Sequence, residues 1–154
     1  MLVPAISRKE EVLKEFSKIV YTEDYYYYAG YAHCHYLPEI KAEDDNYQWI
    51  SIDKDNNICG YIAYRINPVT DRVYNFGLIS FDHKNLTFGF DVKKHIEKLI
   101  KEHNVLEWRM IDGNPVQKHY DKLIKEFNGQ KFKLHNVCKD LNNNLRDEWI
   151  YEIF

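Results

Sequence analysis

The sequence contains no apolar run near the ~18 residues that a membrane-crossing helix requires, so no segment reads as a membrane span. It also lacks a surplus of positive charge. Its 21 Lys and Arg stand against 24 Asp and Glu, a net charge of −3. That balance argues against a nucleic-acid partner held by backbone electrostatics. Cysteine is scarce: Cys34, Cys59 and Cys138 are odd in number and far apart, which reads as reduced thiols in the cytoplasm. Residues 1–9 have neither the apolar core nor the small-residue cleavage site of a signal peptide, which points the same way. Repeats, linkers and low-complexity tracts are missing too, apart from Asn142-Asn143-Asn144. The 154 residues are therefore expected to form one domain, 1–154, with its own core.

What is present is apolar periodicity and many rings, 13 of them tyrosines. Residues 72–81, the polar turn Asp82-His83-Lys84-Asn85 and a helix from about Thr87 form the stretch around which the chain is organised. The strand is apolar at nearly every position, as expected of burial on both faces. In the helix, Val92, Ile96, Leu99 and Ile100 recur at i, i+4, i+7 and i+8, one apolar stripe. Thr87 or Asn85 can cap its start, and Glu97 can pair with Lys101 on the wet face. A buried strand feeding an open helix N-terminus leaves unpaired N–H groups pointing into one crevice, where a pyrophosphate would settle.

Ahead of that stretch, residues 2–6 read as a short strand. Ser7 and Glu10 fit a capping box before a helix carrying Val12, Leu13, Phe16, Ile19 and Val20. Residues 21–38 hold Tyr25, Tyr26, Tyr27, Tyr28, Tyr31 and Tyr36 and a second, shorter helix. These rings either cover the sheet or line a ligand groove. His33-Cys34-His35 places adjacent ligands on one segment, poor geometry for tetrahedral zinc, so no metal is expected. Strands at 47–53 and 58–66 form a hairpin. Behind the central helix come a strand at 105–111, then Asn114 as N-cap and Pro115 at the first helical position. Val116, Tyr120, Leu123, Ile124 and Phe127 make the next apolar stripe, and Asn128-Gly129 ends that helix. Strands at 132–139 and 148–154 close the chain. The order predicts a mixed α/β (α+β) sheet of six to seven strands flanked by about four helices. Parallel pairing is expected after the fourth and fifth strands.

This order resembles the GCN5-related N-acetyltransferase (GNAT) superfamily over nearly the whole chain. One pattern carrying the resemblance is the family's pyrophosphate loop: Gln or Arg, two residues, Gly, one residue, then Gly or Ala. Here it reads Lys84-Asn85-Leu86-Thr87-Phe88-Gly89, in which Gly89 matches, Lys84 keeps the basic character and Thr87 replaces a glycine. Asp91 adds a negative charge that would repel a pyrophosphate unless it points away. The second pattern is Asn114-Pro115 followed by Tyr120, then Gly129 and Phe132. The terminal 147–153 also resembles the family's closing strand.

The resemblance implies a GNAT-like acyl-CoA N-acyltransferase fold. It implies direct transfer of acetyl from acetyl-CoA to a primary amine of an unidentified acceptor. The cofactor-binding set it implies is Leu78, Ile79, Ser80, Phe81, Lys84, Thr87, Phe88, Gly89 and Asn114. Tyr120 matches the position of the family's thiolate acid, and it equally reads as a core tyrosine on its helix stripe. No residue is assigned as base; Glu107, Asp112 and His83 are candidates by region, beside a water relay. Acidic residues Glu39, Glu43, Asp44 and Asp45 make a small cationic amine a permissible acceptor. The eroded loop and the tyrosine run favour the alternative, a catalytically inactive GNAT-fold CoA-binding or protein-interaction module. Edge strands or the C-terminal hairpin offer a surface for a homodimer.

Overall fold

The computed structural model describes residues 1–32 and 34–154. The chain runs β1 (Leu2–Pro4), a 3-10 turn (Ala5–Arg8), α1 (Lys9–Ile19), α2 (Glu23–Ala29), β2 (Asn46–Ile52), β3 (Ile58–Asn67) and β4 (Arg72–Ser80). It continues with α3 (Thr87–Glu102), β5 (Val105–Ile111), α4 (Gln117–Glu126), β6 (Gln130–Lys139) and β7 (Leu145–Ile153). The seven strands form one sheet in the order β1-β2-β3-β4-β5-β7-β6. The expected α/β class and strand count hold. β4 and β5 pair in parallel, as the crossover by α3 requires. The crossover by α4 does not place its strands side by side: β7 inserts between β5 and β6, antiparallel to both.

Two apolar cores lie against the sheet. On one face, Phe88, Ile96 and Leu99 of α3 and Ile124 of α4 pack with Trp108, Met110 and Tyr151. On the other, Val12 and Phe16 of α1 pack with Tyr25, Ile50, Tyr61 and Ile79. Trp108 and Tyr151 stack across β5 and β7 at 5.2 Å with nearly parallel rings. Among the described residues, no helix is long and apolar enough to cross a membrane.

Several local expectations change. Ser7 does not cap α1; its hydroxyl donates at 2.7 Å to the carbonyl of Pro4, the residue just ahead of the 3-10 turn. The i,i+4 pair on α3 is Lys98 with Glu102, 3.9 Å apart, one step along from Glu97 and Lys101. α4 starts at Gln117, and Asn114 accepts from the Val116 N–H at 3.1 Å in the turn ahead of it. The positive φ that ends α4 belongs to Asn128 (52°) and not to Gly129. Gly129 is needed for space, because a Cβ there would stand 2.4 Å from the Glu152 carbonyl oxygen. β4 is buried only at Val73, Phe76 and Ile79, so burial on both faces fails over half its length. The reason is the opening beside it.

Candidate active site

β4 and β5 pair only at Arg72↔Val105 and Val73↔Leu106. Beyond that the strands separate. On its other side β4 pairs with β3 from Arg72 to Ser80, with one irregularity: Tyr64 of β3 faces two residues, Asn75 and Phe76. Asn75 takes φ 52°, the left-handed conformation that asparagine tolerates better than most residues. A bulge of this kind bends its strand and raises its twist, and it swings β4 off β5. The closed end is held by Arg72, whose guanidinium donates to Glu107 at 2.6 and 3.0 Å and to Glu152.

The split leaves a cleft of about 930 Å³ through the sheet. Its walls include the β4 stretch 75–80, the end of β5 (Arg109, Met110, Ile111) and the first turns of α3 (Phe88, Gly89, Val92). α2 contributes Asp24, Tyr27 and Tyr28, and β7 contributes Glu148. The Tyr27 hydroxyl donates to the Gly113 carbonyl at 3.1 Å, which ties α2 across the split to the loop after β5. The tyrosine run thus does both jobs. Tyr25 and Tyr26 are buried, Tyr27 and Tyr28 face the cleft, and Tyr31 and Tyr36 are exposed.

Of the residues expected to hold a cofactor, Leu78, Ile79, Ser80, Phe88, Gly89 and Asn114 line this cleft. Phe81, Lys84 and Thr87 do not. Phe81 packs edge-on against Phe16 at 5.1 Å, and its N–H donates to the Cys59 carbonyl at 2.8 Å. Lys84 and Thr87 border an adjoining open depression with Asp82 and Phe90, which shares Asn85 and Leu86 with the cleft. The Thr87 N–H is taken by Asn85 Oδ1 at 3.0 Å, while the Asn85 amide donates to Asp53 Oδ2 at 3.0 Å. The loop is therefore anchored to the β2–β3 turn through side chains instead of glycines. In the first turn of α3 this leaves the Phe88 and Gly89 N–H groups without a partner among the described residues. Asp91 points away: its Oδ2 accepts from Ser51 at 2.7 Å and from the Met1 ammonium at 2.6 Å.

Tyr120 projects from α4 into the cleft, half-buried, with its ring edge-on to Trp108 at 5.6 Å and Tyr151 at 5.7 Å. It is at once a core ring and a cleft residue. Its hydroxyl bonds to none of the described residues, and burial pushes its pKa up, so it holds its proton.

The regional candidates for a base are otherwise engaged. Glu107 binds Arg72, Asp112 accepts from Trp149 Nε1 at 2.7 Å, and His83 Nε2 lies 2.9 Å from Asp24 Oδ2. The acids Glu39, Glu43 and Asp45 pair with Lys41 and Arg65 away from the cleft, and Asp44 does not line it. Among the described residues, no group of three or more His, Cys, Asp or Glu is set to hold a metal ion. His33 of the His33-Cys34-His35 run lies outside the described residues. The sequence reading missed Asn75, Arg109 and Glu148. Alternation along β5 puts Arg109 on the face opposite Trp108 and Met110, but no motif marks it.

No protein-family model matches the chain, and no curated protein matches its sequence. Solved structures do match. An N-acetyltransferase from Staphylococcus aureus Mu50 superposes with TM-score 0.70 at 13% identity, covering 99% of this chain and 96% of that one. A GCN5-related N-acetyltransferase from Brucella melitensis gives TM-score 0.66 at 13% identity, covering 99% and 74%. A mutant spermidine N-acetyltransferase from Vibrio cholerae gives 0.58 at 14% identity, covering 73% and 67%. At these identities the likeness speaks to architecture. The chain has the fold of the GCN5-related N-acetyltransferases.

Proposed function

We propose that this chain is an N-acetyltransferase that moves acetyl from acetyl-CoA to a primary amine. The observation that carries the reading is the split between β4 and β5, opening beside two unpartnered N–H groups at the start of α3. The fold shared with N-acetyltransferases supports it. Acetyl-CoA supplies an activated thioester. The free edge of β4 at Leu78, Ile79 and Ser80 offers backbone hydrogen bonds to an extended pantetheine arm. The Phe88 and Gly89 N–H groups, at the positive end of the α3 dipole, suit a pyrophosphate. Lys84, Thr87 and Phe81 act at one remove, by shaping the loop.

The attacking nitrogen must be neutral, and its proton leaves to water at the open mouth of the cleft. A strand N–H polarises the thioester oxygen as charge gathers there. As the N–C bond forms and the C–S bond breaks, the electron pair goes to sulfur, and Tyr120 donates its hydroxyl proton to it. Burial keeps this hydroxyl protonated and ready to hydrogen-bond the developing thiolate, while making it a weaker acid than an exposed phenol. We place the protein in the cytoplasm on its three free thiols. Homodimerisation over the exposed β6 edge, with Phe132, Leu134 and Val137, belongs to the same reading.

The test is thiol release from acetyl-CoA in the presence of an amine panel, comparing wild type with Tyr120→Phe. Wild type should turn over at least one amine. The variant should lose on the order of 10²-fold in kcat with KM little changed. A second reading, a CoA-fold module without catalysis, is favoured by the engagement of the Thr87 N–H and the outward position of Lys84. Acetyl-CoA binding with no turnover of any amine would select it.

A further inference from the structure

Two of the carboxylates that line the cleft bond to a basic side chain of this chain. Asp24 lies 2.9 Å from His83, and Glu126 accepts from Lys93 at 2.8 Å. Glu148 is different. Its Oε2 is covered, lies 3.5 Å from Arg109 Nη1 and accepts no hydrogen bond. No described residue donates to its Oε1 either. Arg109 is 54% exposed, stands 3.7 Å from Glu107 Oε1, and donates no hydrogen bond to any described residue. Here is an ion pair in the wall of the cleft that does not close into a hydrogen bond, with a guanidinium still open to solvent.

Their placement is set by the sheet. Ile111 of β5 pairs with Glu148 of β7, and Arg109 with Ile150, so Arg109 and Glu148 are diagonal neighbours on one face. A covered carboxylate oxygen without a donor is costly. A guanidinium fork matches a carboxylate in two parallel hydrogen bonds. A ligand carrying one ammonium and one carboxylate offers a donor to the Glu148 carboxylate at its Oε1 and an acceptor to the Arg109 fork. The two charged groups of an α-amino acid hang from one carbon by bonds of about 1.5 Å each, a spacing suited to charges 3.5 Å apart. A polycation finds no such seat, because among the described residues each acid lining the cleft lies beside a basic side chain.

Building on the acetyltransferase reading, we propose that the acceptor is a free α-amino acid, with its ammonium on Glu148 Oε1 and its carboxylate in the fork of Arg109. Tyr27 and Tyr28 of α2 also line this cleft, as rigid walls for the amino-acid side chain.

The test sets the twenty common α-amino acids against their carboxamides and spermidine, with and without saturating acetyl-CoA. Melting temperature reports binding, and thiol release reports turnover. At least one amino acid should exceed its own carboxamide tenfold or more in kcat/KM. Arg109→Ala should bring that ratio to about one, through KM. Arg109→Lys, which keeps the charge and loses the fork, should fall between. Glu148→Gln should lower kcat/KM for acid and carboxamide alike. Preference for spermidine or for carboxamides, or a ratio that Arg109→Ala leaves unchanged, would overturn the proposal. Acetyl-CoA that raises the melting temperature while no amino acid binds or reacts would overturn it too, and leave the acetyltransferase reading standing. An amino acid that binds through Arg109 without any acetyl-CoA binding would support the site and sink that reading instead.

Discussion

The two edges of β5 behave in opposite ways. Along one edge it pairs with β7 at six consecutive positions, from Leu106↔Ile153 to Ile111↔Glu148. Along the other it pairs with β4 at two. The zipped edge carries the stacked Trp108 and Tyr151 and the interior of the sheet; the open edge carries the cleft. One backbone therefore supplies both rigidity and a free row of hydrogen-bonding groups. The difference lies in the neighbours, chiefly the Asn75 bulge in β4.

If the zipped edge is the rigid half, cutting it should cost the most. Trp108→Ala removes a side chain that is only 2% exposed, and should destabilise by roughly 3–5 kcal/mol, lowering the melting temperature by about 10 °C in calorimetry. Next comes acid. His95, packed behind the sheet with its Nε2 3.2 Å from the Tyr64 hydroxyl, has its pKa lowered to about 4, first by burial and then by Lys98. The folded state holds this imidazole neutral, whereas the unfolded chain protonates it near 6.5. Stability from this group is thus intact above pH 6.5 and lost as pH falls from there toward 4, about 3 kcal/mol in all. Urea titrations across that window should show the decline, and His95→Gln should flatten it.

Two glycines sharpen the contrast further. A Cβ on Gly60 would lie 2.5 Å from the Phe88 ring, so Gly60→Ala should cost about 1–3 kcal/mol. A Cβ on Gly89 meets nothing within 4 Å. Gly89→Ala should stabilise α3 slightly, by roughly 0.5–1 kcal/mol. Equal melting temperatures for these two variants would show that the packed side and the open side are not mechanically distinct.

Much of the architecture was legible because it rests on periodicity. The stripes of α1, α3 and α4 and the β4–α3–β5 crossover follow from spacing alone. The insertion of β7 between β5 and β6 did not, since nothing local to Phe132 or Trp149 says which strand takes the middle place. The site was legible where a motif spans a few residues, as at Gly89, Asn114 and Tyr120. It was not legible where geometry brings distant residues together. Glu148 meets Arg109 only through the β5–β7 register. Asn85 reaches Asp53 across 32 residues and satisfies a loop that lacks the family's glycine. Asn75 looks like any polar residue in a strand until its positive φ is known.

The proposed function stands or falls on whether the α3 N-terminus and the free β4 edge bind acetyl-CoA. Thermal melting with increasing acetyl-CoA, on wild type and Gly89→Glu, tests it most directly. The substituted side chain has room to fold, yet it would place a carboxylate at the cleft where the pyrophosphate is expected. The melting temperature of wild type should rise with acetyl-CoA concentration, through a stabilisation of about 2.7 kcal/mol at 100 times Kd, and that of the variant should not. No rise in wild type at millimolar acetyl-CoA, or the same rise in both proteins, would contradict it.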